Sequence, residues 1–135
     1  MDDQERIKAF LAGSPHAVIG ASPNREKYGN KVLRTYLQRQ MPVYCVHPSQ
    51  DVIEGVPCHR SLAELPEKPH GVSIITPHQV TERIVEECAT LGIRHLWMQP
   101  GAESEAALTR AAELGLDVIA GGPCLLVALR FKEQG

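Results

Sequence analysis

Residues 18–31 read VIGASPNREKYGNK. Val18 and Ile19 close a short apolar run, HAVI, of the length a buried strand needs. Gly20 breaks the run, and a loop with a serine, a proline, an arginine and a lysine follows. From Asn30, a favourable N-cap residue, KVLRTYLQRQ places Val32, Leu33, Tyr36 and Leu37 on one stripe of a helix. Strand, glycine turn and helix make the first βα step, and the remainder of the chain repeats it.

Upstream, DDQERIKAFLAG sets Ile7, Phe10 and Leu11 on one helical face, with Gly13 placed to end it. Downstream, PVYCVHP reads as a second strand stopped by Pro48. Residues 49–70 are polar and rich in turn signals, with SLAEL as a short helix. GVSIIT is a third strand. Thr76-Pro77-His78-Gln79 then has the form of a capping box with proline at the first helical position. The helix it opens carries Val80, Ile84, Val85, Cys88 and Leu91 and ends at Gly92. HLWMQ is a fourth strand, broken by Pro100-Gly101. A helix runs from about Glu103 to Gly115, DVIAGG is a fifth strand, and PCLLVALRF is a last short helix.

Strands and helices therefore alternate. The strands are continuous apolar runs, as expected when helices cover both faces. Right-handed crossovers turn that pattern into an α/β fold, a single Rossmann-like domain with an open parallel five-stranded sheet. The domain is expected to span 1–135, with an N-terminal helix over about 2–13 and the core over about 15–131.

Composition narrows the function. The chain has 135 residues, 43% hydrophobic and 22% charged, with a net charge of −2 and no basic run. Those values suit a globular domain and speak against a nucleic-acid partner. The start, MDDQERIKAF, is acidic where a signal peptide is basic, and no apolar run reaches the ~18 residues of a membrane span. The expectation is a cytoplasmic protein with no membrane partner. Cys45, Cys58, Cys88 and Cys124 are far apart, with no C-x-x-C, and read as free thiols.

In open α/β sheets, ligands bind beyond the carboxyl ends of the strands, where strand order reverses. The candidate residues are therefore Gly20, Ala21, Ser22, Pro23, Asn24 and Arg25 after the first strand, and His47, Pro48 and Gln50 after the second. Thr76 and Pro77 follow the third, and Met98, Gln99, Pro100 and Gly101 follow the fourth. The fifth ends in Gly121-Gly122-Pro123-Cys124. Strand ends need turns in any case, but five such ends together with helix N-termini suit a phosphate-bearing ligand.

The first loop departs from the dinucleotide fingerprint G-x-G-x-x-G. Ser22 holds the second glycine position and Arg25 the third. Ser22 can donate to a phosphate oxygen, and Arg25 and Lys27 can neutralise charge. The second strand ends in His47-Pro48-Ser49-Gln50, where NAD binding wants an acid for the ribose hydroxyls. Without that acid, a phosphate on the ribose is not repelled, which favours NADP or coenzyme A over NAD.

GASPN, the strand ending VHP, the WMQPG run and the late Cys124 resemble the small stand-alone CoA-binding proteins. Those are similar to the N-terminal CoA-binding domain of the succinyl-CoA synthetase alpha subunit. The likeness runs from about Ile7 to Phe131. It implies a Rossmann-like fold with coenzyme A or an acyl-CoA as ligand. It would place Ser22 to Arg25 along the pyrophosphate, His47 to Gln50 near the adenosine and Met98 to Pro100 beside the pantetheine. The synthetase's phosphohistidine belongs to a second domain outside this likeness, so ligase activity is not carried over. The basic residue that the synthetase has shortly after its second strand corresponds to Gln50. An Asp-Arg pair frequent before the late cysteine is replaced by Gly122-Pro123.

Other chemistry is less well supported. The Cys45/His47 and Cys58/His59 spacings match no zinc ribbon or finger, so no metal site is expected. Cys124 and His78 stand at two strand ends, but a cysteine so placed is more often a small core residue. The leading expectation is a CoA or acyl-CoA binder without catalysis of its own, serving as carrier, sensor or regulatory module, with an unidentified protein partner allowed. The alternatives are an NADP-linked or acyl-transfer enzyme acting with a partner chain, and a degenerate Rossmann interaction module.

Overall fold

The computed structural model describes residues 1–133. Its order is α1 (Asp3–Leu11), β1 (His16–Ile19), α2 (Tyr28–Gln38), β2 (Val43–Val46), β3 (Val52–Ile53) and β4 (Val56–His59). A 3-10 turn (Leu62–Glu64) leads to β5 (Gly71–Ile74), α3 (His78–Leu91), β6 (His95–Met98), α4 (Glu105–Glu113), β7 (Asp117–Ile119) and α5 (Leu125–Ala128). The sheet order is β3-β4-β2-β1-β5-β6-β7. Every pair is parallel except β3 with β4.

Alternation along the strands sorts the core into two layers. Ala17, Ile19, Leu96 and Met98 pack with Val85 and Cys88 of α3 and with Ala107 and Ala111 of α4. Val18, Cys45 and Trp97 face the other way, onto Phe10 of α1, Leu33 and Tyr36 of α2 and Leu125 of α5. This is the Rossmann-like arrangement, helices on both faces of a mostly parallel sheet.

Three local expectations are corrected. The sheet has seven strands, not five, because the turn-rich stretch contains a hairpin. Glu54 and Gly55 both take positive φ, 51° and 78°, as a two-residue hairpin turn requires. Second, α2 starts at Tyr28 with Lys27 at the N-cap, so Asn30 lies inside the helix. The Asn30 amide is committed elsewhere. It donates to Ser22 O (2.9 Å) and Glu54 Oε2 (3.0 Å) and accepts from Arg34 Nε (2.7 Å). Third, no capping box forms at Thr76–Gln79. Pro77 is the N-cap of α3 and has no side-chain cap, while the Thr76 hydroxyl pairs with Thr81 Oγ1 at 2.7 Å.

Candidate functional site

β1 is central, with β2 on one side and β5 on the other. The chain leaves it first toward β2 and later returns to its far side, so strand order reverses at the carboxyl end of β1. A cleft of about 600 Å³ opens there. Ile19, Val46, Val80 and Ile84 supply apolar walls, and the ends of β1, β2, β4 and β5 meet around them.

Gly20 is what lets the chain turn at this point. Its φ is +107°, and a Cβ there would lie 1.8 Å from the Ile75 carbonyl oxygen. Only glycine permits such contact between the first turn and the neighbouring strand end. The loop beyond is tied down by its own polar groups. Asn24 N donates to Ser22 Oγ (3.1 Å) and Glu26 N to Asn24 Oδ1 (2.9 Å). The nearly buried Arg34 donates to Arg25 O at 3.1 Å. Arg25 itself pairs with Glu54 at 3.2 Å.

Among the described residues, two of the helices longer than one turn have an N-terminus left for an anion. Neither α2 nor α3 has a side-chain cap or an acid in its first turn. The start of α3 borders the cleft through Pro77 and Val80. Its unshielded amides and the positive end of its dipole suit a phosphate.

Of the sequence-derived residues, Gly20, Ala21, His47, Pro48, Thr76 and Pro77 come together in the cleft lining. Ser22, Pro23, Asn24 and Arg25 continue from the lining into the pinned loop. Gln50 is exposed, and its N–H donates to His47 Nδ1 at 2.9 Å. Met98 and Gln99 are fully buried, Met98 within the α3/α4 layer. Gln99 Oε1 accepts from Tyr28 Oη (3.1 Å) and Leu125 N (3.0 Å), while its Nε2 has no partner among the described residues. Pro100 and Gly101 form an exposed turn.

The structure adds residues outside the five strand ends read from the sequence. Arg60 and Ser61 arrive from β4, and Arg83 and Glu87 from one face of α3. Arg60 directly follows VPCH, a strand obscured by its proline. Arg83 lies three residues after Val80 on the same helical face, a spacing visible in the sequence. His47 Nδ1 accepts from both Ser49 N (3.0 Å) and Gln50 N (2.9 Å). That places the ring proton of the neutral imidazole on Nε2. Burial, then the nearby Arg60 charge, lowers the His47 pKa. Burial raises that of Glu87.

A glycine turn, a reversal of strand order and a helix N-terminus at one cleft complete a Rossmann-like α/β domain. The chain belongs to the CoA binding domain family, whose pattern matches residues 15–130. It is 31% identical over 119 residues to an ADP-forming acetate–CoA ligase I of Archaeoglobus fulgidus, covering 81% of this chain and 17% of the ligase. A conserved hypothetical protein from Pyrococcus furiosus is 35% identical with a TM-score of 0.80, covering 86% of this chain and 99% of that one. A hypothetical protein from Pyrococcus horikoshii OT3 is 26% identical with a TM-score of 0.86, covering 94% and 89%. Among the described residues no helix is long and apolar enough to cross a membrane, and no cluster of ligating side chains could hold a metal ion.

Proposed function

We propose that the chain binds coenzyme A or an acyl-CoA in the cleft beyond β1, β2 and β5, as a carrier, sensor or regulatory module without catalysis of its own. The observation that carries this is the uncapped, acid-free start of α3 beside the Gly20 turn, in a chain of the CoA binding domain family. Gly20 lets the chain turn back against the end of β5 at the mouth of the cleft, and the helix amides meet a phosphate's charge. The apolar walls accommodate the adenine, and Ser22, whose Oγ accepts from Asn24 N, keeps its O–H for donation.

A second reading rests on the A. fulgidus relative. This chain matches 17% of that ligase, so the chain would be the CoA-holding part of an acyl-transfer or ligase assembly completed by a partner chain. Calorimetric titration of the purified chain with CoA and acetyl-CoA tests the binding. A saturable one-site isotherm is expected. No heat, and no thermal stabilisation at millimolar CoA, would overturn the proposal and leave an interaction module as the better account. Turnover of acetyl-CoA by the chain alone would overturn the non-catalytic part.

A further inference from the structure

We infer that Arg60, aided by Arg83, reads a phosphate carried on the ribose of an adenine nucleotide bound in the cleft. The inference rests on the proposed nucleotide reading and goes further by assigning the group that sets selectivity. In Rossmann-like sites the end of the second strand faces the ribose, where an acid selects free hydroxyls and an arginine accepts a ribose phosphate. Here β2 ends without an acid, in His47-Pro48-Ser49-Gln50. The cation is delivered from the next strand over.

β4 pairs with β2 through Cys45↔Cys58 and Val46↔His59, which brings Arg60 to the turn that follows β2. Arg60 Nη1 donates to Gln50 O at 2.7 Å and His47 O at 3.3 Å, so its guanidinium lies against that turn. Its Nη2 donates to Asp51 Oδ1 at 2.5 Å. A guanidinium has five N–H donors. The Nε donor and the second Nη2 donor of Arg60 have no partner among the described residues. The pair with Asp51 is open to water, the side chains being 44% and 87% exposed, so a phosphate can displace the carboxylate at little cost.

Arg83 lines the same cleft and has no hydrogen-bond or ion-pair partner among the described residues. Among the described residues the carboxylates near these cations are Asp51, at the turn, Glu64, which shares a surface hollow with Arg60, and Glu87, on α3. The neutral His47 Nε2–H adds a donor without an opposing charge. Two arginines, one fixed on the ribose side and one uncommitted, therefore favour a dianionic group over a bare hydroxyl.

The test titrates the wild type, R60Q, R83Q and D51N with CoA, dephospho-CoA, NADP+ and NAD+, with a thermal melt of each variant. The wild type should bind CoA about tenfold or more tightly than dephospho-CoA, the scale of a charge-assisted hydrogen bond. R60Q should lose most of that preference through weaker CoA binding, and R83Q should lose a smaller part. D51N should tighten CoA and leave dephospho-CoA unchanged.

Equal weakening of both ligands by R60Q, with no gain in D51N, would overturn the inference and make Arg60 only an anchor of the 47–51 turn. Equal wild-type affinity for CoA and dephospho-CoA would overturn it while CoA binding stands. Preference for NADP+ over NAD+, lost in R60Q, without CoA binding would sustain the ribose-phosphate role and overturn the CoA reading. Binding of none of the four ligands would overturn both.

Discussion

Gly29 stands directly on the carbonyl of Gly20: a Cβ at position 29 would lie 2.0 Å from that oxygen. The dinucleotide fingerprint reserves its last glycine for close helix–strand packing. In this chain that duty falls on Gly29, nine positions beyond the first glycine, and Arg25 at the usual position is free to be a large side chain paired with Glu54. In most helices Gly→Ala stabilises by about 1 kcal/mol. Here Gly29→Ala should destabilise by about 1–3 kcal/mol, because backbone must move to admit the methyl group. Chemical unfolding measures the sign, and an unchanged or raised midpoint would contradict the close packing.

The displaced glycine shows where sequence information stops. β1, β2, β5, β6 and β7 are legible because each is an apolar run closed by glycine or proline, and their alternation with helices yields the doubly covered sheet. β3 and β4 are not, because Val52–Ile53 is only two residues long and Pro57 weakens the strand signal of Val56–His59. Their neglect hides Arg60. The helix starts are misread for a related reason. Asn30 and Thr76 have cap chemistry, but Ser22, Glu54, Arg34 and Thr81 claim their side chains in three dimensions. The strand-end residues around the cleft follow from topology alone. The α3 residues depend on packing that topology does not specify, and Arg60 and Ser61 on a strand that the sequence hides.

Gln99 is the polar joint between the end of β6, the start of α2 and the start of α5. Tyr28 O–H donates to its Oε1, and the Cys124 thiol lies within hydrogen-bond reach of the same phenol. Burial, then the thiol, pushes the Tyr28 pKa up, so the phenol stays a donor. Gln99→Leu would leave Leu125 N–H and Tyr28 O–H without their acceptor, and should cost about 1–3 kcal/mol. Tyr28→Phe removes a donor without stranding the Leu125 amide and should cost about 1 kcal/mol. Equal losses in urea unfolding would show that the Leu125 contact carries no weight.

The four cysteines are free but differ in reach. Cys45 and Cys88 are fully buried, and burial raises the pKa of each. Cys58 is partly exposed and sits opposite Cys45, Sγ to Sγ at 3.0 Å, while Cys124 is partly exposed beside Tyr28. Reactivity follows thiolate fraction and access. Alkylation of the native protein at mildly alkaline pH should therefore label Cys58 and Cys124 well before Cys45 and Cys88, with denaturant abolishing the difference. Peptide mass spectrometry reads the order, and early labelling of Cys88 would contradict the packing of α3 on the sheet.

His16, at the opposite end of β1 from the cleft, makes the fold sensitive to acid. Its Nε2–H donates to Phe10 O at 2.8 Å, holding the last turn of α1, and its buried Nδ1 has no partner among the described residues. The ring stacks on Tyr36 at 5.3 Å and has His70 at 6.0 Å, with His95 beyond His70 at 4.5 Å. Burial lowers the His16 pKa most, the bond to Phe10 opposes it, and the two histidines lower it further. Burial also lowers that of His95, though Asp117 opposes. Above the ordinary histidine pKa of about 6.5 both rings are neutral, folded or not, and contribute no pH dependence. Below it the unfolded chain takes up protons that the native rings refuse, so stability falls with falling pH until the native pKa values are reached. The slope should be at most about 1.4 kcal/mol per pH unit for each ring. His16→Gln removes one titration and should flatten the decline between neutrality and mild acid, whatever its stability at neutral pH. Unfolding midpoints across a pH series give both slopes, and an unchanged slope in the variant would assign the acid sensitivity to His95 and other groups.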